Sequence, residues 1–118
     1  MEFGLFYDFD IQSGSTQVET FERCFNQIEE SERLGVDSIW LAEVHFSPYS
    51  MLSSPLIIAS SVATRTSKVR IGIAVQVLPL ANPLRVAEEV ATLDHVSKGR
   101  LDFGVGRSGL TRYYKGYN

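Results

Sequence analysis

Apolar residues in this chain come in short unbroken runs, separated by stretches in which they recur every three or four positions. Phe3-Gly4-Leu5-Phe6-Tyr7 is the first run, closed by polar residues from Asp8 to Gly14. It predicts a strand buried on both faces with a loop behind it. Thr16 stands three residues before Glu19, the capping-box spacing, and Phe21, Phe25 and Ile28 follow at helical intervals with Cys24 beside them. A helix from about Gln17 to Leu34 is expected, closed by Gly35. Ser38-Ile39-Trp40-Leu41-Ala42 is a second apolar run of strand length.

The same alternation continues. Ser54-Pro55 places a capping residue before a proline at the first helical position, and a second helix is expected to run to about Thr66. Val69 to Leu78 is β-branched at most positions and is the strongest strand candidate, with Pro79 stopping it. Asn82-Pro83 repeats the cap-plus-proline signature, and Val86, Val90 and Leu93 mark the buried stripe of a third helix reaching about Val96. Gly99 can take the left-handed conformation that ends a helix, and Leu101 to Val105 is the fourth strand. Thr111 to Asn118 read as a loop cut short before its helix, with Tyr113, Tyr114 and Tyr117 either a mobile aromatic flap or simply part of that tail.

Four strands alternating with three amphipathic helices predict βαβ units, a parallel sheet and helices on one side of it. The polar, chemistry-bearing residues all follow the strands' carboxyl ends, where a β/α barrel keeps its active site. A complete barrel takes about 250 residues and eight strands. With 118 residues, the chain is expected to be the amino-terminal half of a TIM-type (β/α)8 barrel, about four β/α units, either a fragment of a longer chain or a half-barrel that needs partners to close its edges.

Composition narrows the function classes. Eleven basic against fourteen acidic side chains give a net charge of −3 with no dense basic run, which argues against nucleic acid as a partner. No apolar stretch approaches the roughly 18 residues of a membrane span, and Met1-Glu2-Phe3 lacks a positive leader, so no membrane partner and a cytoplasmic location are expected. The single Cys24 falls in a helical apolar stripe and reads as a buried structural thiol.

The candidate chemistry lies past the fourth strand. Gly104, Gly106 and Gly109 leave backbone bare, with Arg107 and Ser108 between them offering a guanidinium and a hydroxyl. Those are parts that bind an anion, and they point to a phosphate-bearing cofactor, although glycines that merely turn the chain remain the plain alternative. Gly104 to Gly109 also spells G-x-G-x-x-G, but a dinucleotide fingerprint needs a following helix, strand and acidic residue about 20 positions on. Glu43 and His45 follow the second strand. Glu43 reads equally as an ion-pair partner or a catalytic group, and His45 as a hydrogen-bonded structural residue or a site residue. His95, next to Asp94 in the third helix, reads as a cap or surface pair; with His45 and Glu43 its spacing matches no recognised metal-ligand set, so no metal is expected.

Three motifs then carry a family likeness: Asp37 to Phe46, Val77 to Val90, and Leu93 to Arg100 continued by Phe103 to Arg107. In that order they resemble the bacterial luciferase-like family of flavin-dependent monooxygenases and oxidoreductases, over nearly the whole chain. The resemblance implies a barrel that holds reduced FMN, or in some members a deazaflavin, above the carboxyl ends of the strands. It implies a non-proline cis peptide at Ala74-Val75 behind the flavin ring, and cofactor phosphate at Gly106, Arg107 and Ser108. It assigns His45 a polar contact or proton-shuttle role, with Glu43 beside it. Luciferases proper carry two adjacent histidines after that glutamate; here Val44 replaces the first, which counts against light emission. The implied function is oxidation of a small organic substrate by molecular oxygen, on paired donors, with a flavin reductase as a possible partner and a homo-oligomer or heterodimer as the assembly. The rivals are a deazaflavin-dependent hydride-transfer enzyme and a non-catalytic flavin-binding or interaction subunit.

Overall fold

Each apolar run forms a parallel strand and each periodic stretch a helix on one side of the sheet. The structure, a computed structural model, describes residues 1–117; Asn118, the end of the expected tail, lies outside them. The elements are β1 (Gly4–Tyr7), α1 (Gln17–Arg33), β2 (Ser38–Leu41), α2 (Pro55–Arg65), β3 (Arg70–Val77), a 3₁₀ turn (Leu78–Leu80), α3 (Pro83–Ser97), β4 (Leu101–Gly106) and α4 (Thr111–Tyr117). The strands lie in the order β1-β2-β3-β4, every neighbouring pair parallel.

The helix starts follow their sequence signatures. Thr16 caps α1 in a full capping box with Glu19, and the Asn82 side chain accepts the N–H groups of Leu84 and Arg85 at the start of α3. At α2, Pro55 opens the helix but the Ser54 side chain makes no capping bond. The end of α3 differs from expectation: Lys98 as well as Gly99 adopts positive φ, 58° and 77°. The tail differs more. Thr111–Tyr117 is a helix, not a loop, because Tyr113 is buried and holds that turn against the rest of the molecule.

The register assigns one face of the sheet to the core. Leu5, Ile39, Ile71 and Leu101 pair in one row, and Tyr7, Leu41, Ile73 and Phe103 in another. Ile39, Leu41, Ile71 and Ile73 have no exposed surface and pack with Ile28, Ile58, Ala59, Val62 and Leu93 from the three helices. Each such side chain contributes roughly 1.5–3 kcal/mol by leaving water. Cys24 belongs to the same cluster, and burial raises the pKa of its thiol.

The opposite face carries Phe6, Trp40, Gly72 and Asp102 in one row. The Trp40 ring lies flat across Gly72, where a Cβ would collide with it. Arg70 and Asp102 join on this face through a two-pronged ion pair, 2.7 and 2.6 Å.

Two polar latches hold the helices in register with the strands. The Glu32 carboxylate at the end of α1 accepts the successive N–H groups of Ser67, Lys68 and Val69 at 3.0, 2.7 and 2.8 Å. The Val69 N–H is thus taken, and β3 begins at the next residue, Arg70. Arg100 donates to Ser97 O, Thr66 Oγ1, Val69 O, Ala63 O and Thr66 O, all within 3.2 Å. Its guanidinium thus satisfies the carbonyls left open at the ends of α2 and α3.

Candidate functional site

The site begins where β2 leaves the sheet. Glu43 and His45 have side chains only 4% and 6% exposed, and Glu43 Oε1 lies 2.7 Å from His45 Nε2. The second oxygen, Oε2, accepts the backbone N–H of Val77 at 2.7 Å, so the carboxylate spans the ends of β2 and β3. A carboxylate can only accept hydrogen bonds. His45 therefore presents an N–H at Nε2 to an ionised Glu43; in the neutral tautomer with that proton, Nδ1 is an acceptor, and the Tyr117 hydroxyl lies 3.1 Å from it. Both ring nitrogens are engaged, and Phe46, the next residue, turns the chain sharply with φ of 51°.

The sequence offered Tyr113, Tyr114 and Tyr117 as an aromatic loop over the site or as a plain tail; the structure sets them at the site on a helix, α4, which sequence reasoning missed. Tyr113 and Tyr117, one turn apart, both set their rings edge-on to the His45 imidazole with centroids 5.0 Å away. Arg112 Nε donates to the His45 carbonyl at 3.1 Å. From the same helix the Tyr114 hydroxyl donates to the Arg107 carbonyl and, at 3.4 Å, to that of Ser108. The signal was present in the i, i+4 spacing of Tyr113 and Tyr117, but a seven-residue helix without a strong apolar stripe gives little periodicity to read.

The third and fourth strands meet the site at an irregularity. Ile73 pairs with Phe103 and Gln76 with Val105, so β3 carries one more residue than β4 there, a bulge that includes the cis peptide Ala74-Val75. The cis geometry stands at the position the family resemblance implies. Val75 projects over Gly104 and Gly106: a Cβ on Gly106 would come within 2.6 Å of Val75 Cγ2, and one on Gly104 within 2.6 Å of the Ile73 carbonyl oxygen. These two glycines lie inside β4 and make room for β3, and the loop itself begins at Arg107.

In that loop Ser108 adopts φ of 57°, and its Oγ accepts the Leu110 N–H at 3.2 Å. Among the described residues, the N–H groups of Arg107, Ser108 and Gly109 donate to no acceptor, and the exposed Arg107 guanidinium has no hydrogen bond or ion pair. Successive unpaired N–H groups beside a free guanidinium are suited to a phosphate. The loop and the Glu43–His45 pair are tied together twice, by Val77, which pairs with Gly106 and donates to Glu43, and by α4.

Glu43, His45, Gln76 and Tyr117 also form one end of an open groove of about 680 Å³ that continues between α2 and α3. Gln76 is buried at its floor. His95 is elsewhere, exposed on α3. Among the described residues, no three His, Cys, Asp or Glu side chains gather where they could share a metal ion.

Comparison with known proteins identifies the family and the fold. The family model described as luciferase-like monooxygenase matches residues 1–118. The alkanal monooxygenase alpha chain of the Kryptophanaron alfredi symbiont is 41% identical over 77% of this chain and 26% of its own length. The oxygenase component of the flavin-dependent trigonelline monooxygenase of Acinetobacter baylyi (strain ATCC 33305 / BD413 / ADP1) is 28% identical over 98% of this chain and 32% of its own. In fold, the chain matches the oxygenating constituent of 3,6-diketocamphane monooxygenase from the CAM plasmid of Pseudomonas putida, solved in complex with FMN, with a TM-score of 0.93 at 19% identity, over 100% of this chain and 33% of that one. The chain thus spans about a quarter to a third of the length of these proteins.

Proposed function

The chain belongs to the luciferase-like monooxygenase family, and from that premise we propose that it forms the amino-terminal half of a (β/α)8 barrel whose complete protein is an FMN-dependent monooxygenase. The observation that carries this reading is the loop after β4, where three unpaired N–H groups and the free Arg107 guanidinium offer a dianionic phosphate its hydrogen bonds. FMN carries such a phosphate. When bound in its reduced form, the flavin supplies the activation of molecular oxygen.

This chain's own residues have separable tasks in that scheme. Arg107, Ser108 and Gly109 hold the phosphate end with their N–H groups and the Arg107 guanidinium, and Gly106, the last residue of β4, leaves the backbone bare where the loop begins. Ala74 and Val75 stand at the bulge beside the open sheet face, where Val75 is 36% exposed and gives a flat ring an apolar surface to rest against. Glu43 fixes His45 through Nε2, so that His45 holds or releases a proton at Nδ1. The substrate is a small organic molecule. The likeness to a protein named as an oxygenase component supports a separate flavin reductase as partner, and the open edges of β1 and β4 support closure by the remaining half of the barrel, with the complete protein forming a homo-oligomer or heterodimer. No helix among the described residues is long and apolar enough to cross a membrane, which is compatible with a cytoplasmic enzyme. Light emission is not part of the proposal, because Val44 packs against the core and, among the described residues, only His45 brings an imidazole to the site.

Anaerobic titration of the full-length protein with reduced FMN, followed by admission of oxygen, tests the reading. Saturable binding and oxygen uptake that depends on an organic substrate are expected. Binding of a deazaflavin with hydride transfer and no oxygen uptake, or bound flavin without turnover, would overturn it.

A further inference from the structure

The imidazole assigned the proton-handling role has almost no contact with solvent. His45 is sealed by Glu43 on Nε2 and by the rings of Tyr113 and Tyr117, and its side chain is only 6% exposed. A group so enclosed exchanges protons only through a neighbour. Tyr113 is itself buried, at 3% exposure, and no hydrogen bond joins its hydroxyl to His45 among the described residues. Tyr117 differs on both counts, with its hydroxyl 3.1 Å from Nδ1 and 52% of its surface open, in the groove that Glu43 and His45 also line.

Resting on the reading of His45 given above, we propose that Tyr117 is its positioning residue and proton outlet, so that Glu43, His45 and Tyr117 form a relay from the buried carboxylate to the groove. In the starting form of the relay His45 carries a single proton, on Nε2, and Tyr117 donates its O–H to Nδ1. When water or a substrate acid delivers a proton to the Tyr117 oxygen, the phenolic proton passes to Nδ1. The imidazole gains one proton, Tyr117 stays neutral, and no electrons move. The imidazolium is then held by the Glu43 carboxylate, and the reverse sequence returns the proton.

The placement of α4 is fitted to this task. A Cβ on Gly116 would collide with the Phe46 ring, so glycine is what lets this turn of helix close over the chain beyond His45. Arg112 fixes the same turn from the other side through the His45 carbonyl. The charged groups around the relay are Glu43 on the β2 exit, Arg112 on α4, and Arg85, Glu88 and Glu89 on the α3 wall of the groove.

This chain has two histidines, the exposed His95 serves as an internal reference, and in the full-length protein the His45 resonances are those that His45→Asn removes. Magic-angle-spinning ¹⁵N spectra of histidine-labelled protein, which do not depend on association state, read the tautomer and the hydrogen bond on each nitrogen. In the wild type, His45 is expected with Nε2 protonated and Nδ1 unprotonated but shifted upfield by its donor. Tyr117→Phe keeps the ring and removes only the hydroxyl, so Nδ1 should move downfield while the tautomer and His95 stay unchanged. Tyr114→Phe should leave His45 as it was. A wild-type His45 protonated on Nδ1, or an Nδ1 resonance indifferent to Tyr117→Phe, would overturn the proposal, and the first of these is read without any variant. Neither measurement involves flavin, so a failure to bind FMN would count against the proposed function and leave the relay standing.

Discussion

The Glu43 carboxylate accepts the backbone N–H of Val77 at 2.7 Å, across 34 residues of sequence, while its other oxygen meets His45. One side chain therefore serves as both a strand-end tie and an imidazole anchor. Glu43→Gln offers one oxygen and two N–H groups to two donors, so one donor loses its acceptor unless His45 moves its proton from Nε2 to Nδ1. A buried polar group left unpaired costs about 1–3 kcal/mol. Urea unfolding of the variant should show a loss in that range, and a loss below about 0.5 kcal/mol would mean that the carboxylate is not needed at this junction.

Arg100 is a stability residue despite standing in a motif shared with a catalytic family. Its five acceptors are four carbonyls and the Thr66 hydroxyl, and burial lowers the pKa of its guanidinium, so the charge is tolerated there because the fork matches its acceptors. Lys presents three donors from a single point and cannot span this set. Arg100→Lys should lower unfolding free energy by about 1–3 kcal/mol as carbonyls at the ends of α2 and α3 lose their partner. Arg107→Lys, on an exposed guanidinium without such bonds, should leave the denaturation midpoint unchanged. Equal effects of the two would refute the distinction.

The alternation of four strands and three helices, the capping residues Thr16 and Asn82, and the burial of Cys24 were all legible in the sequence, because each rests on periodicity or on a local hydrogen bond within a few residues. Glu32 and Arg100 were not, since all the partners of Glu32 and all but Ser97 of those of Arg100 lie more than 30 residues away, and nothing in a one-dimensional pattern marks a carboxylate that will meet three N–H groups. The glycines after the fourth strand were legible as a special place but not for their reason: Gly104 and Gly106 answer to the Ile73 carbonyl and the Val75 side chain on the neighbouring strand. The neighbourhood of Glu43 and His45 was visible as two residues past a strand, with an aromatic loop over the site as one alternative for the tail, but the helix α4 and its contacts to His45 were not.

Glu32 makes the fold sensitive to acid. Burial alone would raise its pKa, but the N–H groups of Val69, Lys68 and Ser67 outweigh it and hold the carboxyl below its usual value. The folded pKa is thus lower than the unfolded one. Its contribution is complete above the unfolded value, about 4.3, and is lost as pH falls through the lower folded value. The stability gap between wild type and Glu32→Gln should be widest near neutral pH and close as pH is lowered from about 5. A gap that is independent of pH would contradict the latch.

Gly104 and Gly106 should differ under the same substitution. An alanine at 104 meets a backbone oxygen, which moves only with its strand, whereas one at 106 meets a γ-methyl of Val75, which can turn away. Overpacking of this kind costs about 1–3 kcal/mol, and Gly104→Ala should fall at the upper end with Gly106→Ala clearly milder in thermal unfolding. The reverse order would show that β3 yields more easily than Val75 does.

If the loop at Arg107 holds the phosphate of a flavin, two flavins that differ only in that phosphate should report it most directly. Full-length wild type and Arg107→Ala are titrated with FMN and with riboflavin by fluorescence quenching. The variant is predicted to bind FMN about ten- to a hundredfold more weakly, as expected for one lost charge-assisted hydrogen bond, and to bind riboflavin as the wild type does. Equal losses for the two flavins, or none for FMN, would contradict the phosphate role of this loop.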